Sequence, residues 1–264
     1  SLAVSDVAIW SRKTRQRHDS TRSRAALAVA ECHSALTFGQ YGYEFTLAPT
    51  PAGGLVFVNE QLFWVGADQR LTLGTGHAES ALKDQRRAAR GMIAKIVYGA
   101  ISGWGLFHFR NVTASAWIRR AWAVKDSARL RPNGENLAAV LYAIQQGDPD
   151  RYADIRTTIQ QAVPLFDDFV LTPEPAPKHG EQIRLMWGAW GSPAAQTTDT
   201  LSDDALRLMG WVTALMQPHP PPTLILELPD MMPLLSNLIR TAAQASRVIV
   251  VTRSAEMPAL SLYA

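Results

Sequence analysis

The sequence is short of the groups that carry several common chemistries. One cysteine, Cys32, stands among 264 residues. No disulfide can form within the chain, and a reducing, cytoplasmic setting is expected. No uninterrupted apolar stretch approaches the ~20 residues of a membrane-spanning helix. No charged-then-apolar leader opens the chain. Neither a membrane partner nor secretion is therefore expected. The opening Ser-Leu, without methionine, is compatible with a processed start and with residues before it. The six histidines (His18, His33, His77, His108, His179 and His219) have no metal-ligand spacing with Cys32 or with paired carboxylates. A nucleophile elbow of the form G-x-S-x-G is missing, which sets aside the common serine hydrolases. Asp167 and Asp168 adjoin, but neighbours in a strand face opposite ways and do not form a metal pair. A strong excess of one charge is also missing: charged residues make up an ordinary 19% of the chain and the formal net charge is a mild +3, which alone does not mark a nucleic-acid binder. A hydrophobic fraction of 47% is ordinary for a globular protein. At this length the chain can bury one large core, or a core with a smaller companion.

The basic residues that are present cluster. Arg12, Lys13, Arg15, Arg17, Arg22 and Arg24 lie close together with only Asp19 opposing them. Such a run can neutralise phosphates and give salt-sensitive nucleic-acid binding, or it can form a solvated surface loop. Residues 34 to 65 alternate apolar and polar positions between turn residues such as Gly39, Pro49, Pro51, Gly53 and Gly54. That pattern predicts an antiparallel meander, with Leu55 to Val58 and Leu62 to Val65 as separate strands. Over 80 to 98 the period becomes helical: Leu82, Ala89, Ile93, Ile96 and Val97 share a face, and Lys83, Arg86, Arg87 and Arg90 occupy the other. The two segments together predict a first domain over 1–104, an antiparallel β region with a basic helix.

From Leu106 onward the pattern is α/β. Asn133-Gly134 leads into a helix closed by Gly147, and Asp148-Pro149 opens another that Pro164 ends. Phe169 to Leu171 and Ile183 to Trp187 read as a strand pair across a proline-rich loop. Ser202 caps a helix running to about Met216. Thr223 to Leu226 and Val248 to Val251 read as buried strands around a helix over 233–245. Continuous apolar strands alternating with helices predict a parallel sheet covered on both faces. The tryptophans, including Trp187 and Trp190, are expected to fill core.

Motifs occur in this second half in a fixed order. They are Phe107-His108-Phe109, the run LRPNGENLAAVL from Leu130 to Leu141, LSDDALR from Leu201 to Arg207, PPTLILELPD from Pro221 to Asp230, and VVTRS from Val250 to Ser254. The series resembles the "hF", "LrpdGsNLaavL", "LSDGtlR", "pPplilieEPE" and "vvTHSp" motifs of predicted AAA/ABC-type ATPases of the SMC-like and overcoming-lysogenisation-defect-like group. The resemblance implies a P-loop NTPase fold of ABC/SMC-like kind over 105–264, an α/β carboxy-terminal lobe with a mainly parallel sheet, flanking helices and a helical insert. It also implies ATP with Mg²⁺ as ligands, and head-to-tail pairing in a homodimer or with an active ATPase partner.

The residues of that family's chemistry have changed in this chain. Phosphoryl transfer to water needs the phosphates cradled, a Mg²⁺ clamped and a water oriented. No G-x-x-x-x-G-K-[ST] string occurs in the sequence, and Gly74-Thr75-Gly76-His77 reads as a loop. Glu227 keeps the position that the resemblance assigns to Mg²⁺, with Asp230 a displaced second acid. Leu228 stands where the water-orienting carboxylate is expected, and leucine accepts no proton. In the signature turn Ser202 and Asp203 remain, but Asp204 replaces a glycine and sets a negative charge where polyphosphate would approach. Arg253 replaces the histidine that senses the γ-phosphate. The expectation is an ATPase-like domain with degraded catalytic motifs, acting as a non-hydrolysing interaction or regulatory protein without a bound cofactor. Two alternatives stand: an ATPase of a DNA-repair or phage-defence system whose P-loop segment is missing from this chain, and a DNA-binding module using residues 12 to 24 and the basic helix near 83 to 90.

Overall fold

A computed structural model describes residues 6–11, 31–85, 91–177, 180–228 and 233–252 of the chain. These residues fall into two compact units, 1–103 and 104–264. Arg12, Lys13, Arg15, Arg17, Arg22 and Arg24 lie outside the described residues, as do Arg86, Arg87, Arg90, Asp230 and Arg253.

The first unit is a five-stranded antiparallel sheet of β1 (Asp6–Ser11), β2 (Cys32–Phe38), β3 (Tyr41–Pro49), β4 (Leu55–Trp64) and β5 (Arg70–Gly74) in chain order, followed by α1 (Leu82–Gln85) and α2 (Met92–Ser102). In β2, Ser34, Leu36 and Phe38 are buried while their neighbours are not, the two-residue period of a sheet with one packed face. Helix α2 buries Ile93, Ala94 and Val97 and packs against β3. The two strands expected at Leu55 to Val58 and Leu62 to Val65 are one strand, β4. The polar Asn59-Glu60-Gln61 between them reads as a break, yet Glu60 points inward and is fully satisfied. Its Oε1 accepts from Tyr43 Oη at 2.6 Å and from Ser80 Oγ, and its Oε2 from Ala81 N–H at 3.0 Å. Burial, reinforced by this carboxylate, raises the Tyr43 hydroxyl pKa well above its usual range. A buried carboxylate with three donors continues a strand; without them it would end one.

The second unit opens with β6 (Gly105–Phe107), β7 (Trp122–Ala123), α3 (Leu137–Gly147) and α4 (Pro149–Ala162). Strands β8 (Phe166–Val170), β9 (Glu174–Ala176), β10 (Gly180–Ile183), β11 (Met186–Ala189) and β12 (Gln196–Thr197) follow, then α5 (Asp203–Met216), β13 (Thr223–Leu228), α6 (Pro233–Ala242) and β14 (Arg247–Thr252). The strands make three sheets of three: β7-β10-β9 and β12-β11-β8, both antiparallel, and the parallel β14-β13-β6. The single strand expected over Ile183 to Trp187 is two. Ile183 closes β10 and Met186 opens β11, in different sheets. Ile183, Leu185 and Trp187 are all buried, so the alternation persists while the hydrogen-bonding partner changes.

Helix α5 is the centre of this unit. It buries Leu206 and every residue from Leu208 to Leu215, the all-round burial of a helix enclosed by other elements. Gly210 on α5 and Gly134, at φ 74, form a slot for the Phe109 ring; a Cβ at either would stand 2.9 Å from ring atoms. Trp211 meets the same ring edge-on, with centroids 6.0 Å apart. Alanine normally gains about 0.5–1 kcal/mol over glycine inside a helix. Overpacking a closed core costs about 1–3 kcal/mol, and here the obstructing atoms belong to a fully buried ring. Gly210→Ala is therefore expected to lower the stability of this unit by about 1–2 kcal/mol, measured by urea denaturation. A more stable variant would show that Phe109 is free to move.

Among the described residues, one face of the parallel sheet is buried and the other is only partly covered, where two covered faces are expected. Phe107, Leu224, Leu226, Leu228 and Val248 enter the core. Leu106, Ile225, Glu227, Ile249 and Val251 share the other face by register, where Leu106 is 46% and Val251 48% exposed. Among the described residues no helix is long and apolar enough to cross a membrane.

Candidate functional site at the carboxyl ends of the parallel strands

The open face leads to a cleft of about 530 Å³ whose lining includes Leu106, His108, Arg110, Asn133, Glu227 and Val251. Its place follows from the fold. Strand β13 carries Glu227 to the carboxyl end of the sheet, and the segment after β6 turns across that end. There His108 N–H bonds Pro132 O at 2.9 Å. Ligands of open parallel sheets bind in such crevices, beyond the carboxyl ends of the strands.

Glu227, the carboxylate expected to support Mg²⁺, is already engaged. Arg110 Nε donates to its Oε2 at 2.6 Å, and the Arg110 Nη2 lies 2.5 Å from the same oxygen in an ion pair. Arg110 and Glu227 are 117 residues apart, so nothing in local spacing announces the pair. Asn133 is held by Glu135, Nδ2 to Oε2 at 3.0 Å. Mg²⁺ favours octahedral oxygen ligation, usually through one or two carboxylates with water and substrate oxygens. Among the described residues, Glu227 is the one carboxylate lining this cleft, and there is no group of three His, Cys, Asp or Glu able to hold a metal. The described residues do not fit magnesium here.

Leu228 does not face the cleft. It is 1% exposed and shares the core face with Leu224 and Leu226. Adjacent strand residues point to opposite faces, so the side chain at 228 is held away from Glu227 by the strand itself.

The Ser202-Asp203-Asp204 turn forms the start of α5. Ser202 Oγ accepts from Ala205 N–H at 3.1 Å, the usual satisfaction of a first-turn donor. Asp203 accepts from Arg119 Nη2 at 2.8 Å, and Asp204 from Arg207 Nη1 at 2.9 Å. Both acids also sit favourably at the positive end of the helix. Arg119 is buried and reaches the carbonyls of Val112, at 2.7 Å, and Thr198. Arg207 Nε donates to Phe109 O at 3.1 Å and its Nη2 to Arg110 O at 3.5 Å. The start of α5 and the cleft are thus tied to one segment, 108–112. Arg110, Arg119 and Arg207 organise both; Arg207 closes the LSDDALR motif, while Arg110 and Arg119 lie outside every motif that sequence reasoning selected.

Elsewhere, Gly74 ends β5 and residues 75 to 77 form a loop, where His77 stacks on Phe57 with ring centroids 5.1 Å apart. Asp168 accepts from Tyr152 Oη at 2.7 Å and Arg156 Nη1 at 3.1 Å. Burial, then this carboxylate, raise the Tyr152 pKa, and Asp168 acts as a structural tie between β8 and α4. Comparison with models of protein families and with curated proteins finds no match to this chain.

Proposed function

We propose that the second unit is the carboxy-terminal lobe of an ABC/AAA-type ATPase-like domain that does not hydrolyse ATP and works as an interaction or regulatory protein. The observation that carries this reading is the Arg110–Glu227 pair, in which a side-chain cation already satisfies the carboxylate expected to meet the metal. Two further features support it. Leu228 is packed in the core, and the acids at the start of α5 are paired within the chain. Calorimetric titration with ATP and Mg²⁺, followed by a phosphate-release assay, tests it. The expected result is no magnesium-dependent binding at micromolar ligand and no phosphate above the protein-free rate. Tight magnesium-dependent binding with turnover would sink the reading.

A second reading, an ATPase whose P-loop strand comes from outside this chain, draws on the outer edge of β14. No strand pairs with that edge among the described residues, and an unpaired edge is a place for another strand. A G-x-x-x-x-G-K-[ST] segment found upstream in the reading frame would favour it. In either reading the partner is a second copy or an active ATPase.

A further inference from the structure

The second unit has another cleft, of about 790 Å³, unrelated to the sheet end. Its lining includes Trp117, Trp122, Val124, Lys125, Glu181 and Gln182. Trp117 is 53% exposed, unusual for the side chain with the largest apolar surface. Its indole meets that of Trp122 at 81°, with centroids 6.0 Å apart, so two aromatic faces form a corner. The Arg120 guanidinium lies over Trp117, 4.7 Å from the ring centroid.

This corner is held in place before any ligand arrives. Trp122 Nε1 donates to Asp126 Oδ2 at 2.8 Å, and Arg131 Nε donates to the same oxygen at 2.9 Å. Burial works to raise the Asp126 pKa, but those two donors outweigh it and lower it. The carboxylate therefore stays charged and fixes the indole. Preorganisation of this kind reduces the cost of binding. On the opposite wall, β7 is tied to β10 through Ile183↔Trp122 and Gln182↔Ala123.

The chain segment that forms the corner carries an excess of positive charge. Between Ile118 and Arg131 there are five cations (Arg119, Arg120, Lys125, Arg129 and Arg131) and one acid, Asp126. Arg119 and Arg131 are consumed by carboxylates. Arg120, Lys125 and Arg129 are exposed and form no ion pair with a described carboxylate. Among the described residues, the cleft lining itself carries one cation, Lys125, and one carboxylate, Glu181, with Arg120 and Arg129 beside it in the chain. The exposed Trp117 indole, with Arg120 over one of its faces and Lys125 and Arg129 in no ion pair with a described carboxylate, suits planar rings carried on an anionic backbone. Bases in a duplex are stacked on each other, so the ligand must offer them unpaired.

We propose that the Trp117–Trp122 cleft binds single-stranded nucleic acid, stacking a base on Trp117 while Arg120 and Lys125 meet the flanking phosphates. The cleft is within the few hundred to ~1,000 Å³ typical of small-molecule sites, enough for one nucleotide. The strand continues along the exposed loop toward Arg129. An acidic aromatic peptide is the competing occupant, but it carries fewer planar rings for each negative charge.

The test is fluorescence anisotropy of a labelled oligothymidylate of about 20 nucleotides, longer than one such site needs, titrated with the full chain across a salt series. Trp117→Ala is expected to weaken binding by about 5- to 100-fold, and Trp117→Phe by no more than about 3-fold, because phenylalanine keeps a stacking face. Arg120→Ala with Lys125→Ala is expected to flatten the slope of log affinity against log salt by about 1.4, two phosphates' worth for a single strand. Circular dichroism melts should match the parent, since both sites are at the surface. Four outcomes would each overturn the proposal: no binding of the oligonucleotide, full binding by Trp117→Ala, equal loss in Trp117→Phe, or displacement by an acidic tryptophan-containing peptide but not by unlabelled oligothymidylate. Loss of all binding on replacing Arg15, Arg17, Arg22 and Arg24 together, with the cleft variants unaffected, would assign binding to that run instead.

Discussion

Asn136→Ala is expected to destabilise the second unit by about 3–5 kcal/mol. Asn136 is fully buried, and its amide is used from both ends. Oδ1 accepts from Arg131 N–H at 2.8 Å, while Nδ2 donates to Asp126 O and Arg129 O, each at 2.8 Å. Alanine would leave one donor and two acceptors of the 126–131 loop without this partner. Each unsatisfied buried group costs about 1–3 kcal/mol, and water entering the space recovers part of the sum. Asn136→Asp separates polarity from shape. It keeps an acceptor for Arg131 N–H but turns an oxygen toward two carbonyls. The native state then favours the protonated carboxyl, so the folded pKa is raised above the unfolded value of about 3.9. Stability of that variant should be greatest below about pH 4 and fall as pH rises through the folded pKa. Urea denaturation at pH 4 and 7, with an unchanged m value, checks both variants. A loss under about 1 kcal/mol for Asn136→Ala would mean that the loop finds other partners.

The asparagine also shows how far sequence reasoning reached. LRPNGENLAAVL marks a distinctive segment, and its structure explains the residues one by one. Gly134 takes a left-handed turn against Phe109, Asn136 ties the preceding loop, and Leu137 to Leu141 are core. Local signals were legible because local physics produces them: Ser202 caps α5, Asp148 accepts from Arg151 N–H at the start of α4, and Pro149 follows it. Long-range satisfaction was not. Glu60 looked like a strand break until Tyr43 and Ser80 were brought to it. Glu227 looked available for a metal until Arg110 was brought to it. The apolar runs of β13 and β14 suggested two covered faces, since an exposed isoleucine and a buried one have the same letter. Ile225 and Ile249 are only partly buried, and Val251 is exposed. Trp117 and Trp190 show the same limit: both are tryptophans expected in the core, yet they are 53% and 60% exposed, while Trp187 is buried.

Leu228→Glu supplies the carboxylate type that the resemblance expects, yet it should give no phosphate release and should destabilise the unit by at least about 4 kcal/mol at pH 7. Register decides the first point. Glu227 stands opposite Val251 on the open face, while Leu228 stands opposite Thr252 on the alternate one. A longer side chain at 228 cannot reach the cleft without turning the strand over, and that would bury Glu227 and break its bonds to Arg110. Burial decides the second point. A carboxylate among Leu224, Leu226 and the core beneath them has no donor, so it would take up a proton. A shift of about three pKa units costs about 4 kcal/mol at neutral pH, before the lost packing of leucine is added. Because the raised pKa belongs to the folded state, the charge-related penalty shrinks as pH falls toward about 4. Leu228→Met is the matched control, with an expected loss under about 1.5 kcal/mol. Thermal melts of the three proteins, with a phosphate-release assay on each, separate the possibilities. A Leu228→Glu protein that melts with the parent would place position 228 at solvent and make the leucine a replaced catalytic residue. One that unfolds early and stays silent identifies it as core, and puts the barrier to hydrolysis in the architecture of the strand.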